Sequence, residues 1–240
     1  MKSLNIIHLF PDLLNLYGDR GNIAVFKKRC SLRGIEPNVI PVTAEDEPDF
    51  TKADIILLGG GSDREQRLVC GRLLKYKNEL TSYRDDMGCL LAVCGGYQLL
   101  GHYYSQNGEK IEGLELCGLY TEQKEGRLIG NIAVQTQNGV AVGFENHGGR
   151  TYLDKNATPF GTVIRGFGNN GEGKTEGVIF KNIIGTYLHG PLLPKNPEIA
   201  DLMIRRAISR KYGEDKPLEP IDDYTADLAK SYVLDATLKK

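Results

Sequence analysis

One cysteine of this chain is placed as a catalytic nucleophile would be. Cys94 follows an apolar run of strand length, residues 89–93, and precedes two glycines and a helix-compatible segment. The pattern predicts a sharp turn from a buried parallel strand into a helix, with the thiol at the turn. The helix N-terminus is expected to favour the thiolate, and backbone N–H groups of the turn can bind an anion beside it. Taken alone, the pattern also fits a buried structural cysteine.

A glycine-rich loop and a histidine are predicted at the same edge of the sheet. The loop, Gly59-Gly60-Gly61, follows a third predicted strand, and its backbone N–H groups suit an oxyanion hole. His189 follows the strand-like segment 183–188 and precedes a Gly-Pro pair. A nucleophile, oxyanion donors and a general acid–base together indicate a thiol catalyst of acyl transfer. Taken singly, the glycines also fit a flexible turn and the histidine a structural residue.

The elements that must position these residues are those of an α/β protein. Strands are predicted over residues 4–9, 36–42, 53–58 and 89–93, with helices over 23–33, 64–83 and 95–102. Turn signals such as Asn107-Gly108 favour strands and hairpins over residues 111–187, with residues 145–150 as a polar turn. Helices are predicted over 197–212 and 222–240. We divide the chain into a main domain, residues 1–205, and a C-terminal helical extension, residues 206–240.

Composition excludes several other classes of protein. The 240 residues are 40% hydrophobic and 25% charged, with a formal net charge of −1, so no general attraction to nucleic acid or acidic lipid is expected. The five cysteines form no CxxC pair, which argues against disulfides and structural zinc. No apolar run approaches the roughly 18 residues of a membrane span, so a cytoplasmic location is expected. The pattern GxxxxGK[ST] occurs once, at residues 168–175, but within the segment predicted as strands and hairpins and not between a strand and a helix, and no strand-to-helix GxGxxG occurs, so no nucleotide site is predicted.

Taken together, the motifs resemble class I (triad-type) glutamine amidotransferases of the CobB/CobQ-like branch and, within it, the glutaminase subunits of lipid II isoglutaminyl synthases. The resemblance spans the chain from the first strand to about Pro197 and implies a flavodoxin-like three-layer sandwich, with helices on both faces of a mostly parallel sheet. The segments that carry it are residues 59–63, 92–101, 143–150 and 185–191.

The resemblance implies that the substrate is L-glutamine. Cys94 would attack the side-chain amide carbon, and His189 would protonate the departing ammonia and then activate water to release glutamate from the thioester. The expected oxyanion donors are the backbone N–H groups of Gly60 or Gly61 and of Gly95.

The resemblance also assigns contacts with the substrate. Arg127 matches the family's arginine for the glutamine α-carboxylate, which a guanidinium can bind through two hydrogen bonds. Gln98 and His147 are further candidates for substrate binding, although His147 equally fits a hydrogen-bonded structural residue.

One departure from the family concerns the histidine. Many triad amidotransferases carry His-x-Glu, but two residues beyond His189 stands Pro191. The orienting carboxylate must therefore come from elsewhere in the chain, with Glu145 as a candidate, or from a partner. We expect low glutaminase activity from the isolated chain and stimulation by that partner.

The implied partner is a Mur-ligase-like (MurT-like) synthetase subunit in a heterodimer. It would bind ATP and Mg²⁺, activate the D-glutamate α-carboxylate of the lipid II stem peptide and receive the ammonia, while this chain holds no cofactor and no metal. The lipid-linked substrate would bring the complex to the inner face of the membrane.

Three alternatives stay open. The chain could be another thiol hydrolase on a similar sheet, such as the peptidase and chaperone relatives with a cysteine elbow. It could be a non-catalytic interaction module that kept the fold, or a glutaminase that serves a different synthetase, for instance in cofactor biosynthesis.

Overall fold

The computed structural model describes residues 1–16 and 18–239. Tyr17, from the predicted loop before the first helix, and Lys240, the last residue of the predicted extension, lie outside the described residues. The strands are β1 (Ser3–Leu9), β2 (Glu36–Val42), β3 (Ile55–Leu58), β4 (Cys89–Val93), β5 (Tyr103–Gln106), β6 (Glu109–Glu112), β7 (Leu119–Thr136), β8 (Gly139–Leu153), β9 (Gly161–Arg165), β10 (Thr175–Glu176), β11 (Val178–Phe180) and β12 (Ile183–Thr186). The helices are α1 (Arg20–Ser31), α2 (Asp63–Leu73), α3 (Lys77–Asp85), α4 (Gly95–Leu99), α5 (Pro197–Tyr212) and α6 (Tyr224–Leu238).

The main sheet has the strand order β11-β12-β4-β3-β1-β2, and its strands run parallel except for β11. Every residue of β3, β4 and β12 is buried, as expected for central parallel strands that helices cover on both faces. The connection from β1 to β2 moves toward one edge of the sheet, and the connection from β3 to β4 moves toward the other edge. Because such crossovers are right-handed, α1 and α2 lie on opposite faces of the sheet. The predicted flavodoxin-like α/β architecture is therefore confirmed.

The middle third of the chain forms a second sheet, of order β10-β9-β7-β5-β6, with β8 paired to β7. This confirms the predicted hairpins, including the turn at Asn107 and Gly108, whose φ angles are 52° and 80°. The prediction of a turn over residues 145–150 is wrong. These residues lie within β8 and pair with β7, Leu128 opposite His147 and Gln123 opposite Gly149, so the glycines there interrupt no strand.

Two predicted helices have different bounds in the structure. The predicted helix over residues 64–83 is divided into α2 and α3 by a 3-10 turn at Leu74–Tyr76, where Tyr76 packs edge-on against Phe50. The helix after Cys94 ends at Leu99 rather than near residue 102. Gly101 there lies so close to the start of β7 that a Cβ on it would be 2.4 Å from the Leu119 side chain.

Two helices follow the last strand of the main sheet, as predicted. Helix α5 spans the predicted domain boundary at residue 205, and α6 packs back against β7 and β8. Arg29 of α1 holds both elements in place, because its guanidinium bonds Asp201 of α5 at 2.6 Å and also Asp223 just before α6. The division into residues 1–205 and 206–240 stays a prediction. No helix in the described ranges is long and apolar enough to cross a membrane.

Candidate active site

Cys94 occupies a strained turn between β4 and α4. Its φ and ψ are 51° and −110°, a conformation that L side chains rarely adopt and that commonly marks a functional position. Its backbone N–H donates to the Thr186 carbonyl at 2.9 Å, and its own carbonyl accepts the Gln98 N–H at 3.1 Å. The predicted elbow is present, and bonds on both sides hold the thiol in place.

The second glycine after Cys94 lets α4 lie against the end of β3. A Cβ on Gly96 would be 2.7 Å from the carbonyl oxygens of both Leu58 and Gly59. The Gly96 N–H in turn donates to the Gly59 carbonyl at 3.2 Å. A larger residue would force the two loops apart, so this glycine is a requirement of close packing.

The backbone N–H groups that could hold an oxyanion are Gly61 and Gly95. The Gly95 N–H is close enough to lower the pKa of the Cys94 thiol, and the Gly61 nitrogen lies 3.6 Å from the position of a Cβ on Gly95. Within residues 1–16 and 18–239 no group accepts the Gly61 N–H. The Gly60 N–H, by contrast, donates to Asp19 Oδ2 at 3.1 Å. Because that hydrogen is already used, the structure narrows the predicted donors to Gly61 and Gly95.

A cavity opens at Cys94. Its walls bring together predicted residues that are far apart in sequence. They are Cys94, Gly61, Gly95, Gln98, Arg127 and His147. The two predicted residues outside its lining are Gly60 and His189.

His189 lies at the same edge of the sheet as Cys94 but is covered by β8. It follows β12, the strand beside β4, and pairs with Phe144 through two backbone hydrogen bonds of 3.0 and 3.1 Å. The side chain is fully buried, and its Nε2 accepts the Asn146 N–H at 3.2 Å. Burial, with the nearby His147, Arg127 and Lys195, lowers the imidazole pKa to about 3. The ring is therefore a neutral base near pH 7.

The Cys94 thiol is protonated rather than ionised, contrary to the expectation from the helix N-terminus. Burial, with the carboxylate of Asp19 nearby, raises the pKa of the thiol to about 12, against the opposing effects of the Gly95 N–H and Arg127. Helix α4 has only five residues, so its dipole is small and does not offset the loss of hydration. A neutral thiol and a neutral imidazole are the resting state of this site.

Arg127 reaches the cavity from an irregular part of β7. The β7–β8 register shifts between Gln123 and Leu128, and Gly126 has a φ of 75°, which turns the next residue toward the cavity. Its Nε donates to Asn146 Oδ1 at 2.7 Å and its Nη2 to the Asn146 carbonyl at 2.8 Å. The guanidinium is thereby oriented while Nη1 stays available for a ligand carboxylate.

Gln98 belongs to a chain of hydrogen bonds behind the cavity wall. Its Oε1 accepts from Gln66 Nε2 at 2.8 Å, and its Nε2 donates to the Tyr187 hydroxyl at 3.1 Å. The Tyr187 hydroxyl also bonds Thr151 at 2.6 Å. The amide of Gln98 is therefore fixed in one orientation where it faces the cavity.

His147 and Glu145 form a buried pair in β8. The His147 ring stacks on Tyr187 with centroids 3.6 Å apart, and its Nδ1 donates to the Gly149 carbonyl at 2.7 Å. Its Nε2 lies 3.8 Å from Glu145 Oε2. Glu145 is fully buried, and its carboxylate also accepts the N–H groups of Phe167 and Gly168. The hydrogen bonds of Glu145 thus hold the loop after β9.

The sequence analysis missed several residues of the cavity wall. Asp63 and Gln66 directly follow the glycine loop, so their position next to it was the signal that could have found them. Tyr104, Gln106 and Gln123 come from β5 and β7 of the second sheet. No local pattern marks those three, because only the packing of the second sheet onto the first brings them here.

Comparison with known proteins agrees with this geometry. Residues 5–197 match the CobB/CobQ-like glutamine amidotransferase domain. Over 240 residues the chain is 45% identical to lipid II isoglutaminyl synthase (glutamine-hydrolyzing) subunit GatD of Staphylococcus aureus, covering 98% of this chain and 96% of that protein. It is 40% identical over 235 residues to the GatD subunit of Streptococcus pneumoniae, with coverages of 96% and 90%. A solved glutamine amidotransferase from Thermotoga maritima, 14% identical, superposes with a TM-score of 0.55 over 98% of this chain and 96% of its own, which supports the fold.

Proposed function

This chain belongs to the CobB/CobQ-like family of glutamine amidotransferases, and from that membership we propose that it is the glutaminase subunit of a lipid II isoglutaminyl synthase. The observation that carries the proposal is one cavity that contains the Cys94 elbow, the backbone of Gly61 and Gly95 and the oriented guanidinium of Arg127. That set matches the needs of thiol attack on the amide of a free amino acid. The names of the two similar GatD proteins supply the lipid II context.

Glutamine would be recognised through its two charged groups. Arg127 Nη1 binds the α-carboxylate, since Nε and Nη2 each donate to Asn146. Asp63, the acidic residue among the described residues that line the cavity, binds the α-ammonium group of glutamine. The side-chain amide of glutamine then extends to Cys94, with Gln98 and His147 as the neighbouring wall.

The reaction would start from neutral groups. The Cys94 sulfur attacks the amide carbon while His189 accepts the thiol proton, and the oxyanion is held by the Gly61 and Gly95 N–H groups. The C–N bond breaks as His189 donates its proton to the nitrogen, which leaves as ammonia. Water then attacks the thioester with His189 as base, the C–S bond breaks, and glutamate leaves with the thiol restored.

The hydrogen bond from Asn146 to His189 supports activation by a partner. In this structure the Nε2 lone pair of His189 accepts the Asn146 N–H at 3.2 Å, so use of that nitrogen as the base requires this bond to break. Glu145 is held by backbone groups of the loop after β9 and contacts His147. We therefore propose that docking of the partner rearranges β8 around His189 and supplies the orienting carboxylate.

The proposed partner is a Mur-ligase-like synthetase that binds ATP and Mg²⁺. The GxxxxGK[ST] pattern at residues 168–175 leads into β10 and not into a helix, so it lacks the context of a phosphate-binding loop. This and the word subunit in the names of its relatives support a division of labour. The partner activates the D-glutamate α-carboxylate of the lipid II stem peptide, and ammonia from this chain converts it to D-isoglutamine. The complex would work at the inner face of the membrane, where its lipid-linked substrate lies.

Reconstitution with that synthetase tests the proposal. The complex should release glutamate from glutamine and amidate lipid II, as measured by mass spectrometry, whereas the isolated chain should hydrolyse glutamine slowly. Cys94→Ala should abolish amidation with glutamine but keep amidation with ammonium chloride, which shows that the variant complex is assembled. Amidation by the Cys94→Ala complex with glutamine, or equal glutaminase rates for the isolated chain and the complex, would contradict the proposal.

A further inference from the structure

A buried carboxylate outside the predicted site holds the glycine loop beside Cys94. Asp19 is 0% exposed, and its Oδ2 accepts the Gly60 N–H at 3.1 Å. The same oxygen would lie 2.8 Å from a Cβ on Gly59, so the carboxylate packs directly against the loop. Asp19 precedes α1 and accepts no backbone N–H of that helix through its side chain, although its Oδ1 accepts the Asn22 Nδ2–H at 3.5 Å. Its main described contact is therefore with the glycine loop.

Two further bonds restrain the same loop. The Gly60 carbonyl accepts the Leu16 N–H at 3.0 Å, and the Gly59 carbonyl accepts the Gly96 N–H at 3.2 Å. The carbonyl and the N–H of a trans peptide point in opposite directions. With the Gly60 carbonyl directed at Leu16, the Gly61 N–H points to the other side, where its nitrogen lies 3.6 Å from the Cβ position of Gly95.

Three successive glycines would otherwise leave this orientation weakly determined. Glycine populates positive and negative φ almost equally, so a peptide between two glycines turns over at little cost. A carboxylate that accepts an N–H forms a stronger bond than a neutral acceptor, and here it lies in a buried place where water cannot compete.

We propose that Asp19 is a positioning residue that holds the Gly59–Gly60 peptide through the Gly60 N–H and, together with the Leu16 bond to the Gly60 carbonyl, keeps the Gly61 N–H facing the oxyanion formed at Cys94. This role rests on the proposed glutaminase function. It acts through the loop and not on glutamine, because the cavity lining does not include Asp19. Its effect should therefore appear in the transition state and not in substrate binding.

The charge of Asp19 has a separate effect that the experiment must distinguish. The carboxylate also raises the pKa of the Cys94 thiol, which opposes thiolate formation. Asp19→Asn keeps an oxygen that can accept the Gly60 N–H and removes the charge, while Asp19→Ala removes both. If holding the loop is what matters, the Asn variant rescues activity and the Ala variant does not.

The experiment measures glutaminase kinetics of the complex with its synthetase partner. Asp19→Ala should lower kcat about 10- to 100-fold with KM changed less than about threefold. It should weaken inhibition by the γ-aldehyde analogue of glutamine, which adds to the thiol and places an oxygen in the oxyanion hole, by a similar factor. Asp19→Asn should recover most of both losses. The binding of glutamine itself, measured in the Cys94→Ala background, should stay unchanged.

Asp54 offers a matched control at the opposite end of β3. It is also buried and accepts a backbone N–H, that of Asn5 at 2.7 Å, so Asp54→Ala should cost stability without changing kcat. Should Asp19→Ala fail to fold, Asp19→Leu fills the space without accepting a hydrogen bond and serves the same comparison. An active Asp19→Ala or Asp19→Leu variant, a rise in KM alone, or an Asn variant as impaired as the Ala variant would overturn the role of Asp19. Failure of the wild-type complex to hydrolyse glutamine would instead reject the proposed function.

Discussion

The backbone N–H of Cys94 donates to the carbonyl of Thr186 at 2.9 Å. This bond joins the end of β4, which precedes the proposed nucleophile, to the end of β12, three residues before His189. Residues 94 and 189 are thus brought to one edge of the sheet by the pairing of two parallel strands, which is the usual location of sites in open α/β sheets. Strand β8 then covers His189, whereas Cys94 lines the cavity.

The first prediction concerns the protonation of Cys94. Because burial raises the thiol pKa to about 12, the rate of Cys94 alkylation by iodoacetamide in the isolated chain should rise about tenfold per pH unit between pH 7 and 10. Mass spectrometry of the modified peptide measures this rate, with Cys94→Ala as the control for the other four cysteines, which are all buried. A rate that levels off near pH 7 would show an ionised thiol and contradict the prediction.

The second prediction compares alanine at three glycines. Gly95→Ala places a Cβ 2.9 Å from the Gln66 amide oxygen and beside the Gly61 N–H, so it should leave the fold intact and lower kcat at least about 100-fold. Gly96→Ala meets backbone carbonyl oxygens that cannot move aside, so it should lower the free energy of unfolding by about 1 to 3 kcal/mol.

Gly71→Ala is the control for these two variants. It lies in α2 with nothing within 4 Å of the new Cβ, so it should raise the free energy of unfolding by about 0.5 to 1 kcal/mol. Urea denaturation and glutaminase assays measure both quantities. If Gly96→Ala lost activity without losing stability, the packing role of Gly96 would be contradicted. If Gly95→Ala lost stability without losing activity, the role of its N–H at the oxyanion would be contradicted.

The third prediction tests how the charged groups of glutamine are bound. Asp63→Asn should raise KM for L-glutamine about 10- to 100-fold and leave kcat/KM for glutaramate, which lacks the α-ammonium group, unchanged. Arg127→Lys should impair both substrates, because both carry the α-carboxylate and a lysine cannot keep the bonds to Asn146. Asp235→Asn, an exposed acid of α6, is the matched control. Equal losses on both substrates for Asp63→Asn would rule out its contact with the ammonium group.

The fourth prediction concerns pH and a buried carboxyl group next to the site. Glu176 accepts the Tyr187 N–H at 2.8 Å, and burial raises its pKa from 4.5 to about 7. Since the folded-state pKa is the higher one, protonation stabilises the fold. This contribution is complete below about pH 4.5 and is lost as pH rises through 7.

Glu176→Gln, which imitates the protonated carboxyl, should therefore gain stability relative to the wild type between pH 5 and pH 8. The expected gain is about 2 to 3 kcal/mol in free energy of unfolding. Denaturation with urea at the two pH values measures it, and Glu172→Gln, an exposed acid, provides the control. Parallel pH dependence of the wild type and Glu176→Gln would show that Glu176 does not titrate in this range.

Local patterns in the sequence were enough for the features that depend on neighbours in the chain. The apolar run before Cys94 and the glycines after it predicted the elbow, and Ser62 with Glu65 begins α2 as a capping box. The turn at Asn107-Gly108 follows from the ability of both residues to adopt positive φ. The glycines at 148 and 149 were misread as a turn, because β pairing to β7 overrides their local preference.

The sequence by itself determined the α/β fold, the proposed nucleophile and the class of chemistry, because a strand-to-helix elbow is encoded in a dozen consecutive residues. Only the tertiary structure decided which N–H group of the glycine loop is already bonded, since Asp19 accepts the Gly60 N–H from 41 residues away in the chain. It also decided the charge state of Cys94 and His189, because burial, which depends on the whole packed molecule, outweighs the local helix terminus. Short segments of the sequence thus indicated the chemistry, whereas the protonation states of Cys94 and His189 depended on contacts with distant segments.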